Sequence, residues 1–153
     1  MKIQIIQFSP TKDKNLAALE TDFEKRLKPY FKLEILTLTA SKSDDRTKVQ
    51  EEERKKILSK LDRQAYIIAL HETGRQLTSQ DFAALLKEQQ DFGPGKVQLL
   101  IGGSHGLHPE VLAEAHMQLS FSKMTFTHEM IRVFLKEQLY RAALIQRDHP
   151  YHK

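Results

Sequence analysis

Neither cysteine nor tryptophan occurs among the 153 residues. Without thiols, disulfides, thiolate metal sites and cysteine nucleophiles are excluded together, which suits a reducing compartment. Long apolar runs are missing too. No stretch approaches the ~18 apolar residues of a membrane span. The opening Met1-Lys2-Ile3-Gln4-Ile5-Ile6-Gln7-Phe8 is broken by glutamines and ended by Ser9-Pro10, so it holds no signal-peptide core. A soluble, cytoplasmic protein is expected. Only six glycines and five prolines occur, and they form no linker or low-complexity tract. One domain over 1–153 is expected, large enough to bury a core without metal or disulfide staples.

A large excess of one charge is absent as well: 24 Lys and Arg stand against 20 Asp and Glu, a net +4. That balance alone does not point to a polyanionic partner. The surplus is local, with Lys123, Arg132, Lys136, Arg141, Arg147 and Lys153 facing only Glu129, Glu137 and Asp148 near the end. An RNA-facing patch and a solvated helix end are both open readings.

What is present is a regular alternation of periods. Residues 2–8, 33–38, 65–70 and 97–101 read as strands, and 14–28, 47–61, 79–90, 109–117 and 128–147 as helices. Residues 40–46 read as a polar loop, 72–75 as a turn and 119–126 as a short strand-like piece. Strands alternating with helices predict an α/β fold with a mostly parallel sheet. The last helix is apolar on more than one face (Ile131, Phe134, Leu135 and Leu139, but also Val133, Tyr140, Ala143 and Leu144), whereas one sheet contact needs only one stripe. A subunit interface along it is expected.

The densest signal is Leu100-Ile101-Gly102-Gly103-Ser104-His105-Gly106-Leu107, an apolar strand stopping at a glycine pair shortly before a helix that opens at Pro109. Such a turn brings bare backbone to a ligand at the carboxyl edge of a sheet. It lacks the order and the downstream acid of a dinucleotide fingerprint, and the Gly-Lys-Ser/Thr of a P-loop. Gly102-x-Ser104-x-Gly106 does match a nucleophile elbow, with Asp148, His149 and His152 downstream. A serine hydrolase using Ser104 is therefore an alternative. His105-x-x-His108 and His149-x-x-His152 have ligand spacing but no third ligand, so no metal is expected. Ser120-Phe121-Ser122-Lys123-Met124-Thr125-Phe126-Thr127 alternates small hydroxyls with apolar side chains. It reads either as an edge strand or as a loop that offers backbone groups to a flat heteroaromatic ring. Glu137 and Arg141 have the spacing of a helical ion pair.

Taken together, the glycine segment, Leu119 to Phe126, Arg132-Val133 with Glu137-Gln138-Leu139-Tyr140-Arg141-Ala142, and terminal Tyr151-His152-Lys153 resemble the bacterial ribosomal RNA large subunit methyltransferase H family along the whole chain. The resemblance implies a SPOUT-type α/β fold with a C-terminal trefoil knot over about 97–153, working as a homodimer. It implies S-adenosyl-L-methionine bound by Leu70, Gly103, Ser122, Lys123, Met124, Thr125, Phe126 and Thr127, and methylation of N3 of a pseudouridine in 23S rRNA on the ribosome. For that reaction His128, Glu137 or His152 is the candidate proton acceptor. Arg141 and Lys153 are candidates to stabilise the imide anion or hold phosphates, and Tyr151 to stack on the base. A bulky residue at Gly102 or Gly103 is expected to collide with the cofactor. Two positions depart from the family: Thr127 stands where proline is usual, and Phe8-Ser9-Pro10 where Val-Gly-Lys is common. A non-catalytic ribosome-binding protein with the same fold is the remaining alternative.

Overall fold

Strand β1 (Lys2–Phe8) is apolar on both faces, and both are covered: Ile3 and Ile5 join one core cluster, Ile6 and Phe8 another. That is the environment of a central parallel strand. In the computed structural model, which describes residues 1–150, β1 lies between β2 (Lys32–Leu38) and β4 (Lys96–Leu100). Two further strands, β3 (Tyr66–Gln76) and β5 (Met117–Ser120), complete a five-stranded sheet of order β2-β1-β4-β3-β5 whose pairs are all parallel. The expected knotted path is consistent with this order.

Helices α1 (Lys14–Leu27), α3 (Ser79–Asp91) and α5 (His128–Ile145) cover one face, with Leu27, Phe82, Leu86, Leu135 and Leu139 packed on Ile3, Ile5, Ile68, Val97 and Leu99. The other face carries α2 (Arg46–Leu58) and the five-residue α4 (Pro109–Ala113), through Ile57 and Val111 against Ile6, Ile67 and Leu100. Each helix starts where a side chain can take up a free N–H: Asp13, Asp45, Thr78, His108 and Thr127 are the N-caps. Among the described residues no helix is long and apolar enough to cross a membrane.

Three expectations are corrected. The helix expected over 109–117 stops at Ala113, and the next strand begins at Met117 rather than 119. The turn expected at 72–75 lies inside β3. There Leu119 pairs with both Leu70 and Arg75, so residues 71–74 loop out of the ladder. A glycine inside a strand marks such close approaches: a Cβ on Gly74 would stand 2.7 Å from the Gln118 backbone.

The double apolar character of α5 is used within the chain. Tyr140 packs against Phe23 and Tyr30 near α1, and Gln146 donates to the Ala83 carbonyl of α3 at 2.9 Å. Among the described residues, two of the C-terminal cations are interior. Arg132 and Lys136 are fully buried, Arg132 donating to Phe8 O and Thr11 Oγ1, Lys136 to Glu20 and Glu24. They answer carboxylates and carbonyls of the β1–α1 region, and no RNA-facing patch contains them.

Candidate active site

At the carboxyl ends of β3, β4 and β5 the chain leaves a cavity of about 830 Å³. This is where parallel α/β sheets hold ligands. Three segments form most of its wall: Leu70 in β3 with the looped-out His71 and Glu72, the turn 101–107, and the run 119–128. Of the residues expected to hold the cofactor, Leu70, Gly103, Ser122, Met124, Thr125, Phe126 and Thr127 line it. Lys123 does not, and is exposed.

The glycine turn closes on itself. Gly106 N–H donates to Gly103 O at 3.1 Å, and Gly106 takes a φ of +73°, which a β-carbon disfavours. Helix α2 supports it from behind, Gln50 Nε2 donating to His105 O at 2.9 Å. Glycine at 102 and 103 is also required within the protein itself. A Cβ on Gly102 would stand 2.6 Å from the Gly106 carbonyl carbon, and one on Gly103 would stand 2.8 Å from a carboxylate oxygen of Glu53.

The hydroxyl-rich run is no strand beyond Ser120. Its hydroxyls tie the loop down: Ser120 Oγ lies 3.0 Å from Glu72 O and 2.8 Å from Ser122 O, and Ser122 Oγ accepts from Met124 N–H at 3.0 Å. Of the apolar members, Phe121 packs on the core, Met124 is 73% exposed, and Phe126 meets Phe134 edge-to-face at 5.3 Å. Thr127 has φ −63° and its Oγ1 accepts from Met130 N–H at 3.2 Å. That φ is the value a proline ring would impose, so threonine keeps the geometry and adds a cap. The other departure leaves Ser9 in the left-handed region at φ +58°, at a cost of about 1 kcal/mol that glycine would not incur.

Among the proton-acceptor candidates, His128 stands in the cavity wall at the first turn of α5. Burial, reinforced by the Arg132 guanidinium one turn on, pushes its pKa below the usual histidine value. Its neighbour Glu129 faces away, accepting from Lys12 N–H at 2.7 Å, a contact that holds its carboxyl below the ordinary range. Glu137 lies elsewhere, on the rim of a second cavity of about 500 Å³ behind the 119–126 loop. It is held there by Arg141 (2.7 Å) and Gln138 (2.7 Å). Arg141 lines neither cavity. Tyr151, His152 and Lys153 lie outside the described residues. Sequence reading missed Glu72 and Gln50, whose only cue was position beside a strand end and on a charged helix.

Ser104 lacks the geometry of a nucleophile elbow. Its φ is not positive, the helix after it begins five residues later, and among the described residues no histidine is bonded to its hydroxyl. His108 is occupied as the cap of α4, accepting from Glu110 N–H at 3.1 Å. Among the described residues no group of three His, Asp or Glu is placed to hold a metal ion. The cavity does fit S-adenosylmethionine: it offers apolar side chains for an adenine ring, loop backbone for its edge, and the Glu72 carboxylate for a cationic or hydroxylated tail.

The family model described as predicted SPOUT methyltransferase matches residues 1–152. The chain is 41% identical, over 159 aligned positions covering all of both chains, to the ribosomal RNA large subunit methyltransferase H of Clostridioides difficile (strain 630). Identity is 40% over the same span to that of Clostridium botulinum (strain Langeland / NCTC 10281 / Type F). Among solved structures, a probable methylase family protein from Haemophilus influenzae Rd KW20 superposes with a TM-score of 0.53 at 17% identity, over 95% of this chain and 66% of that one. The SpoU methyltransferase AviRb from Streptomyces viridochromogenes, in complex with AdoMet, gives 0.50 at 11%, over 97% and 59%. These two likenesses concern the fold.

Proposed function

Since this chain belongs to the SPOUT methyltransferase family, in the group of ribosomal RNA large subunit methyltransferase H, we propose that it methylates N3 of a pseudouridine in 23S rRNA. The coarser activity, S-adenosylmethionine-dependent methylation of rRNA, follows from the family. The finer reading adds the assembled ribosome as substrate and a homodimer as the working form. One observation carries it: the cavity at the strand ends is walled by the same segments that the family resemblance marks for the cofactor.

Bound there, S-adenosylmethionine supplies an electrophilic methyl group, so the protein has two tasks: to hold the nucleophilic nitrogen in line and to take its proton. Positioning of this kind can contribute several kcal/mol, up to ~7–11. His128 is suited to the second task. With its pKa lowered by burial, the imidazole is neutral at neutral pH and has a lone pair to accept the imide proton. Glu137, saturated by Arg141 and Gln138, instead stiffens the exposed side of α5, where a second subunit would dock. A domain with so small a charge surplus has little to select one nucleotide from free RNA, which favours the shaped surface of a ribosome.

His128→Asn is expected to lower kcat by ~10²–10⁴ while the cofactor Kd changes less than threefold. The wild-type rate should stay flat as pH falls through ~6.5, the ordinary histidine value, and decline only below it. Linkage has the same sign: the unfolded chain takes up this proton first, so folding stability falls as pH drops below ~6.5. A kcat within threefold of wild type would exclude His128 as the base.

The reading as a whole is tested by incubating the protein with S-adenosylmethionine labelled in the methyl group and ribosomes lacking the modification, then digesting the RNA. Label is expected in N3-methylpseudouridine of the large-subunit RNA, and not with naked transcript. Label in another nucleoside, or none, sinks the proposed substrate.

A further inference from the structure

Among the described residues, Glu53 is an acid buried against the cavity wall without being part of it. It is 4% exposed, its Oε2 has no hydrogen-bond partner, and it projects from α2 onto the α-carbon of Gly103. Burial raises its pKa, partly offset by the backbone N–H groups of Ser41 and Gly103 and by the charges of Lys56 and His105. Among the described residues no salt bridge compensates it. A buried acid in this state is destabilising compared with an apolar residue of similar size, so its presence calls for another explanation.

Its surroundings suggest one. Gly103 lines the cavity while Glu53 does not. The carboxylate occupies the space that a Cβ of residue 103 would take, with Oε1 and Oε2 at 2.9 and 2.8 Å from that position. Three residues earlier on the same helix face, Gln50 grips the His105 carbonyl. Helix α2 thus holds the two shoulders of the turn 102–107, one by an amide and one by a carboxyl. The carboxyl also faces the N–H of Ser41, joining the polar loop before α2 to the same point.

We infer that Glu53 is a positioning residue for methyl transfer: its buried carboxyl sets the orientation of the Gly102-Gly103 turn that receives the cofactor. The inference rests on the assignment of this turn to S-adenosylmethionine. A carboxylate can accept from both N–H groups it faces. A glutamine must place an NH2 group at one of the two oxygen positions, either toward those N–H groups or where Oε2 now stands without a partner. Glu53→Gln therefore removes a buried charge while misorienting the turn, so stability and cofactor binding should move apart.

The experiment measures S-adenosylmethionine affinity by calorimetry and the melting temperature of the same apo protein. Wild type should bind. Glu53→Gln should melt no lower than wild type yet bind the cofactor about ten- to a hundredfold more weakly, the penalty of a sub-ångström to 1 Å misplacement. A residue that merely supported the fold would lower both together, and that result would overturn the inference. So would wild-type affinity in Glu53→Gln. If Glu53→Gln does not fold, Gly103→Ala and Glu53→Ala are compared singly and together. The new methyl group is expected to clash with the carboxylate, so the double variant should bind no more weakly than Gly103→Ala alone. Losses that multiply would overturn the coupling. A wild-type protein that binds no S-adenosylmethionine would overturn the cofactor assignment as well, and is thereby distinguished from failure of the Glu53 inference alone.

Discussion

Gly102→Ala should abolish cofactor binding at concentrations that saturate the wild type, a loss of roughly a hundredfold or more. The added Cβ would stand 2.6 Å from the Gly106 carbonyl carbon, 2.8 Å from Leu107 N and 3.0 Å from Gly106 Cα. All three are backbone atoms, so no side-chain rotation relieves the clash. The turn must open, and its opening displaces the cavity wall formed by residues 102–107. Overpacking of this kind costs ~1–3 kcal/mol of stability, too little to unfold a domain of this size outright. Gly95→Ala is the control. Gly95 has φ +66° but open space around its Cβ position, so the variant should lose about 1 kcal/mol from strain with cofactor affinity unchanged. Calorimetric titration and thermal melts of both variants decide the matter. Gly102→Ala binding within threefold of wild type would mean that the turn is plastic.

Lys136→Met should cause the largest loss of stability. The Lys136 ammonium is 1% exposed and bridges Glu20, itself 7% exposed, and Glu24 at 2.6 Å. Removing the cation leaves Glu20 buried with the Thr11 hydroxyl as its remaining hydrogen-bond donor and no paired charge, which costs ~3–5 kcal/mol. In a chain of this length each kcal/mol lowers Tm by ~2–4 °C, so the melt should fall by roughly 10 °C or more. Pairing Lys136→Met with Glu20→Leu should recover most of it, because replacing both charges by apolar groups is often neutral or better. No recovery in the pair would show that the site depends on the lysine for packing rather than for charge. The same helix carries His128 two turns earlier, so the single variant should also lose activity before it unfolds.

Local signals and distant ones differed in how far the sequence disclosed them. The strands were legible because Ile3-Gln4-Ile5-Ile6 and Val97-Gln98-Leu99-Leu100 are apolar over the right length, and the helices because their apolar residues recur at helical spacing; in the structure Asp13, Asp45, Thr78 and Thr127 cap four of them. The glycine turn and the hydroxyl-rich loop announced the cavity by composition. The end of α4 was not visible: Glu114-Ala115-His116 holds no breaker, and the chain leaves the helix because His116 N–H and Nδ1 bond the backbone of Ile67. Arg132 and Lys136 were misread as surface charge because cations belong outside by default. What holds them inside lies more than a hundred residues away. Glu53 gave no signal for the same reason. On a helix as charged as Arg46–Leu58 nothing marks one glutamate as interior.

The brevity of β5 has a consequence for the protein in bulk. As the outermost strand it exposes a row of unpaired backbone N–H and C=O groups, the template on which chains add to one another. Four residues are too few to nucleate such pairing, and the loop that follows turns the chain away at Phe121. At the opposite margin β2 carries Lys32 and Glu34 on its length, with Glu34 clasped by Lys2 at 2.9 Å and Gln4 at 2.8 Å. Charge guards one margin of the sheet and truncation guards the other. The bend that makes room for a ligand therefore also keeps concentrated protein from associating edge to edge.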